Sequence, residues 1–337
     1  MIKHTFALML LVIFITGCGC PQHYDPFCTP PPLPDCPMVP KPIRLAVVLG
    51  GGGSKGLAHV GVLEELENAN IPIDLVIGCS AGSIIGSIYC DCPCTDQLKK
   101  TFLKLNTNYL VDFDLWNARY GLCQGKTLRK FLDQHLTANY FHELKIPFFL
   151  VATDLYSSEL VTIGGGPIVP AVEASCSLPF IFVPVNLHGR AFVDGGVVDP
   201  CPVRVAKYFE AEVIVAVDLC GLLPRTFPTN LFSVATRSAE ITLLWQSEAC
   251  VKDADVIIRP NMEGIGTFCG DQNERIYQAG RAAGREAIPL ILSCLARKAA
   301  EKHKFERNYC SEGVNDAVVD DIYLERIMIQ GTGEDNS

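Results

Sequence analysis

Positive charge is scarce in this chain. Its 28 lysines and arginines are outnumbered by 37 aspartates and glutamates, giving a net charge of -9, which argues against recruitment to nucleic acid or anionic lipid by charge. Apolar runs of membrane-crossing length are also wanting: residues 6–15 (FALMLLVIFI) give only ten apolar positions, where a spanning helix needs about 20. The chain has sixteen cysteines and seven histidines. No Cys-x2-Cys pair faces a second one at zinc-finger spacing, so neither a metal nor another cofactor is expected. There is no internal repeat. These gaps remove basic nucleic-acid binders, zinc modules and repeat scaffolds, and leave a chain with about 295 residues able to bury a single core.

Two glycine-bearing turns dominate what is present. Gly50-Gly51-Gly52-Gly53-Ser54-Lys55-Gly56 follows the apolar run 44–49 (RLAVVL) and precedes the amphipathic pattern 57–66 (LAHVGVLEEL). Gly78-Cys79-Ser80-Ala81-Gly82 follows a second apolar run, 73–77 (IDLVI), and again opens a helical pattern. This is one βαβ unit leading into a strand-to-helix elbow, so both turns are expected at the same carboxyl edge of a parallel sheet. At such an elbow Ser80 stands exposed at a helix N-terminus, the placement of a nucleophile. The glycine N–H groups of the first turn can face a developing negative charge, with Lys55 adding positive potential. A dinucleotide site is the weaker reading of Gly51-x-Gly53-x-x-Gly56, because Asp74 begins the second strand and no acidic residue ends it.

A serine nucleophile needs a base. After His188, itself beside Gly189 at a hairpin position, the only histidine is His303, in the charged stretch 297–307 (RKAAEKHKFER) that reads as a solvated helix. His59 falls one turn into the helix after the glycine loop, a packing position. Asp194 is the better candidate: it ends the apolar run Ala191-Phe192-Val193 and is followed by Gly195-Gly196, which turn the chain and present a carboxylate at a sheet edge. Cys79 is expected to pack inward while Ser80 points out.

The motifs Gly51-Gly52-Gly53-Ser54-Lys55-Gly56, Gly78-Cys79-Ser80-Ala81-Gly82 and Asp194-Gly195-Gly196, in that order, resemble the patatin-like phospholipase family. Segments 121–136 (GLCQGKTLRKFLDQHL), 144–155 (LKIPFFLVATDL), 174–185 (ASCSLPFIFVPV) and 255–260 (DVIIRP) are similar to bacterial members, so the likeness covers about residues 43–295. The resemblance implies a Ser-Asp dyad in place of a triad. It assigns Ser80 as nucleophile, Asp194 as general base, and Gly51, Gly52 and Gly53 as oxyanion-hole donors, with Lys55, Gly56, Gly78, Gly82, Gly195 and Gly196 supporting the motifs. It further implies hydrolysis of phospholipid or other acyl esters through an acyl-enzyme. A lipid acyltransferase using the same dyad, and a non-catalytic lipid-binding lipoprotein, are the alternatives. With further buried-strand runs at 211–219 and 254–259, the expected fold is a three-layer α/β/α sandwich with a mainly parallel sheet.

The N-terminus suggests where the protein works. Lys3 and His4 precede the apolar stretch, and Ile15-Thr16-Gly17-Cys18 resembles a bacterial lipoprotein signal, which implies cleavage after residue 17 and lipidation of Cys18. Gly19 is not the aspartate of inner-membrane retention, so an exported lipoprotein of the outer membrane is expected, with membrane access through the lipid anchor and exposed apolar surface. Residues 19–42 hold nine prolines and read, within an 18–42 tether, as an extended segment of up to about 70 Å. Cys20, Cys28 and Cys36 lie eight apart along it. The catalytic domain is expected over 43–296, with the apolar residues of 91–146 either forming a helical flap over the acyl site or packing on the sheet, followed by a charged extension, 297–337, ending in an edge-strand pattern at 322–331.

Overall fold

The computed structural model describes residues 37 and 39–310, except 107–109, 115, 117, 222–226 and 266–271, with backbone only at 232 and 305–310. The expected signal segment 1–17, Cys18, most of the expected tether and the 322–331 pattern lie outside the described residues. Two compact units divide the chain, Met1–Ile288 and Pro289–Ser337. The break at Pro289 comes earlier than the composition shift at 297 suggests. At the other end Val39 and Ile43 are already buried among core side chains, so the packed chain begins ahead of residue 43: Val39 offers apolar surface that the neighbouring prolines do not.

Strands β1 (Leu45–Leu49, LAVVL), β2 (Leu75–Cys79, LVIGC) and β7 (Val213–Val217, VIVAV) are buried at every position. Such unbroken apolar runs suit central parallel strands covered on both faces. β3 (Phe148–Asp154), β4 (Leu160–Ile163), β5 (Val185–Leu187), β6 (Arg190–Asp194) and β8 (Val256–Ile258) complete one sheet. Its order is β5-β6-β3-β2-β1-β7-β8, with β4 also paired to β3. The pairings β3-β2-β1-β7-β8 are parallel and those of β4, β5 and β6 antiparallel. The sheet is therefore mixed and mostly parallel, flanked by helices.

Alternate residues explain the two covered faces. Ala46, Val48, Leu75, Ile77, Ile214 and Ala216 pack with Val203, Val205 and Ala206 of α6 (Val203–Tyr208). The opposite face meets α1 (Leu57–Asn68) and α2 (Ala81–Asp91), where Gly86 lies directly on Phe148 and Val76. The remaining helices are α3 (Thr95–Leu103), α4 (Lys126–His135), α5 (Ile168–Ser175), α7 (Leu231–Cys250) and α8 (Asn273–Cys310). α3 and α4 fall in the stretch expected to form a flap or to pack on the sheet. His188 (φ 52°) and Gly189 (φ 73°) form the two-residue turn between β5 and β6, both with the positive φ that a tight hairpin needs.

One contact the sequence pattern does not reveal joins α1 to the first turns of α8. A Cβ on Gly61 would come 2.4 Å from the Tyr277 carbonyl oxygen, and one on Gly280 2.1 Å from that of Ala58. The helices touch backbone to backbone, reinforced by Glu65, which accepts from Arg281 and Arg285. Helix propensity alone favours Gly61→Ala by about 1 kcal/mol. The close approach reverses the sign: Gly61→Ala is expected to cost about 2 kcal/mol or more in urea denaturation, whereas Gly165→Ala, with no atom nearer than 3.9 Å to the added carbon, stays within about 0.5 kcal/mol.

Candidate active site

β2 ends at Cys79 and α2 starts at Ala81, so Ser80 alone makes the elbow, with φ 51° and ψ -121°. A non-glycine residue in this region stores about 1–3 kcal/mol of strain and persists only where neighbours hold it. Here Ser80 N donates to Ser175 Oγ at 3.0 Å, Ser83 N donates to Ser80 O at 2.8 Å, and Cys176 Sγ donates to the same oxygen at 3.1 Å. Ser175 Oγ in turn donates to Val151 O at 2.7 Å. A hydroxyl has one proton, so in the 2.7 Å pair of Ser83 Oγ with Ser175 Oγ Ser83 is the donor. Ser175 thus clamps the elbow to β3. Nothing in its sequence context points to this role, because its partners are 24 and 95 residues away.

The sheet register brings the acid to the serine. β2 pairs with β3 up to Cys79 opposite Val151, and β6, running the other way, pairs with β3 up to Asp194 opposite Ala152. Because β4 occupies the other edge of β3 at Val151 and Ala152, β2 and β6 share one edge and meet end to end. Ser80 Oγ donates to Asp194 Oδ2 at 2.5 Å, and Gly196 N donates to Oδ1 at 2.8 Å. The Asp194 backbone is held as well, its N–H by Ser177 O and its carbonyl by Thr153 Oγ1, each at 3.0 Å. Burial pushes the Asp194 carboxyl up to about 6, against the lowering effects of the Ser80 hydroxyl and the Gly196 N–H. It is a stronger base than a surface aspartate and still ionised at neutral pH.

Cys79, Ser80's neighbour, is fully buried. Burial first, then the nearby Asp194 charge, holds its thiol far up in its protonated form, so it packs and does not compete as a nucleophile. Cys90, Cys92 and Cys94 carry free thiols.

The glycine loop lies against the elbow: a Cβ on Gly51 would sit 3.3 Å from that of Ser80. Gly51 corrects the expectation of three oxyanion donors, because its N–H donates to Pro200 O at 2.8 Å. It anchors the loop and is not available to a substrate. Gly50 N likewise donates to Val217 O at 3.0 Å, and Cys220 Sγ lies 3.7 Å from Gly51 O. The N–H groups of Gly52 and Gly53 find no protein acceptor among the described residues. Lys55 is only 3 % exposed; its charge acts within the protein, where it draws the Cys220 thiol downward against burial.

His59 proves to be the loop's support. Its Nε2 is 2.8 Å from Gly50 O; a carbonyl only accepts, so Nε2 carries the proton. The ring is completely buried, its Nδ1 has no partner among the described residues, and burial lowers its pKa to about 4. It is a fixed neutral donor, a buried packing histidine whose hydrogen bond reaches the loop.

An apolar cleft of about 50 Å³, open to solvent, starts at Gly53 and Ala81 and runs past Ile84 to Phe102, Leu105 and Leu110. It adjoins the elbow one residue beyond Ser80. Of the apolar residues in 91–146, Phe102 and Leu110 line this cleft, whereas Phe113 and Trp116 are exposed. Among the described residues, no group of three His, Cys, Asp or Glu side chains is placed to hold a metal ion.

Residues 47–207 match the family model described as patatin-like phospholipase. The chain is 31% identical over 277 residues to the mouse patatin-like phospholipase domain-containing protein 6, covering 72% of this chain and 20% of that protein. It is 26% identical over 297 residues to the lysophospholipase nte1 of Aspergillus fumigatus, covering 78% of this chain and 20% of the relative. The chain thus spans about a fifth of the length of these relatives. Among solved structures, VipD from Legionella pneumophila aligns over 88% of this chain and 81% of its own, at 15% identity and a TM-score of 0.49. The domain match spans the glycine loop, the Ser80 elbow and Asp194, and by it the chain carries a patatin-like phospholipase family domain over residues 47–207.

Proposed function

We propose that the protein is a serine acyl hydrolase that cleaves acyl esters of membrane lipids through a Ser80–Asp194 dyad. The observation that carries this reading is the 2.5 Å hydrogen bond from Ser80 Oγ to a buried Asp194 carboxylate, beside two glycine N–H groups with no protein acceptor. Asp194 Oδ2 takes the hydroxyl proton as Ser80 Oγ attacks the ester carbonyl. The oxyanion is received by Gly52 N–H and Gly53 N–H, aided by the N-terminus of α2. Asp194 then returns its proton to the departing alcohol, and water, activated by the same carboxylate, releases the acid. The cleft from Gly53 to Leu110 takes the acyl chain. The named activity of the fungal relative, a lysophospholipase, supports the substrate class.

In this reading Ser80→Ala and Asp194→Asn each lower fatty-acid release from phospholipid vesicles, and hydrolysis of a short-chain ester, by at least about 10³-fold, with far-UV circular dichroism unchanged. Full activity in Ser80→Ala sinks the assignment. Because Asp194 acts ionised, kcat/KM of the parent is expected to fall tenfold per pH unit below about 6 and to level off above it.

Stability moves the opposite way. The folded carboxyl titrates at about 6, above its ordinary 3.8, so its contribution is favourable below pH 4 and is lost as pH rises through 6. By pH 8 the buried charge costs about 3 kcal/mol. Asp194→Asn removes that charge, and its Tm advantage over the parent should grow between pH 4 and pH 8. An advantage that is constant with pH contradicts the buried-charge account.

We further propose that Cys18 is the lipidated residue of an exported bacterial lipoprotein, directed to the outer membrane. Metabolic labelling with an alkynyl fatty acid in a bacterial host should mark the parent and not Cys18→Ser. Equal labelling of both rules it out.

A further inference from the structure

The outward face of α7 has the chemistry of a core. Its positions open to solvent carry Leu231, Val234, Ile241 and Trp245, and otherwise only Ala, Ser and Thr. At 100° per residue the four large side chains fall within one stripe. Leu231 is 87% and Trp245 72% exposed. The helix's charges flank this stripe and are paired: Arg237 and Glu240 meet at 3.2 Å with little exposure, and the half-exposed Glu248 reaches Arg259 at 2.9 Å. A helix on an aqueous surface shows the reverse pattern.

The inner side of the same helix is fastened to the catalytic edge. Gln246 Nε2 donates to Val197 O at 3.0 Å, three residues beyond Asp194, and Ser247 Oγ donates to Asp218 Oδ1 at 2.7 Å. Leu243 reaches to 3.7 Å of the point where a Cβ on Gly196 would lie. Phe227, four residues before Leu231, and Val197, whose carbonyl accepts from Gln246, are also exposed, at 91% and 41%. A separate observation comes from the loop after Ser177, whose carbonyl holds Asp194 N: Phe180 there is 87% exposed at φ 71°. A bulky residue kept in left-handed backbone, with its ring in solvent, marks a position under functional constraint.

We propose that this α7 face is a membrane-contact surface that seats the Ser80–Asp194 edge on a lipid bilayer of low surface charge. The proposal rests on the lipid-ester reading above, since a substrate held in a bilayer must be reached from the bilayer surface. Two features favour lipid over a second copy of the chain. One helical stripe of four large side chains offers a few hundred Å², short of the roughly 800 Å² per partner of a stable protein interface. Its rim charges, Arg237 with Glu240 and Glu248 with Arg259, are already paired within the chain, whereas Trp and aliphatic side chains insert one by one at an interfacial depth. With a net charge of -9, attraction to anionic headgroups is not the driving force.

The chain has two tryptophans, so Trp116→Phe leaves Trp245 as the only reporter, and Ser80→Ala keeps the vesicles intact. The full chain with both changes is mixed with phosphatidylcholine vesicles, plain or carrying brominated acyl chains. Trp245 emission is expected to shift to the blue and to be quenched by bromine, with no gain when phosphatidylglycerol is added. In the Ser80 protein, Leu231→Glu with Ile241→Glu should lower vesicle-lipid hydrolysis at least tenfold while hydrolysis of a soluble short-chain ester stays within twofold. Lipid hydrolysis without quenching overturns the surface and leaves the activity standing; quenching without any hydrolysis does the converse. Equal loss on both substrates, or protection of Trp245 by concentration-dependent dimerisation without lipid, also overturns the proposal.

Discussion

The site depends on two strands running toward each other along one edge of β3. β2 arrives at Val151 and β6 at Ala152, and neither can be displaced by one residue without turning its buried side chains to the opposite face. That register sets the end of β2 against the end of β6 and closes 114 residues of chain onto a single hydrogen bond. Closing so long a segment costs entropy that one bond cannot offset. The sheet, the Ser175 clamp on Val151 and the Thr153 bond to Asp194 O carry that cost. β3, at seven residues the longest strand with described partners on both edges, is the ruler on which the dyad is measured.

Much of this was legible from residue order. Unbroken apolar runs gave β1, β2 and β7 to within two residues, and the elbow and the Asp194 turn each announced themselves by glycine next to a reactive side chain. What escaped was fixed by contacts remote in sequence. Nothing near Gly51 says that Pro200 will take its N–H, nothing near Ser175 says that it will hold Ser80, and Gly61 and Gly280 become meaningful only when their helices cross. α7 escaped for a different reason: a stripe of Leu, Val, Ile and Trp at helical spacing has a direction only once the inner side of the helix is known to be fastened by Gln246 and Ser247.

His59 shows how the same residue type serves differently by depth. At the surface its imidazole would titrate near neutrality. Inside, burial lowers it to about 4, and the neutral ring becomes a donor aimed at Gly50 O. The loop's first two peptides are then tied at both ends, by Val217 and Pro200 through their N–H groups and by His59 and Cys220 through their carbonyls. Tying these two is what leaves the next two N–H groups unspent, because a loop free to relax would turn them onto the nearest protein carbonyl.

In the proposed reaction this arrangement also accounts for a base that is a carboxylate. A histidine base becomes a cation when it takes the serine proton and needs a third group to hold it. An aspartate becomes neutral. In the proposed reaction one negative charge therefore leaves Asp194 and reappears on the substrate oxygen a few ångströms away, with no net charge created. The starting place is a poor one for a charge, buried and with burial raising its pKa to about 6 despite two hydrogen bonds. The destination has glycine N–H groups without other acceptors and the positive end of α2. Moving a charge from a site that disfavours it to one prepared for it lowers the barrier without any added cation, and an apolar surround strengthens both halves of that contrast by lowering the local dielectric.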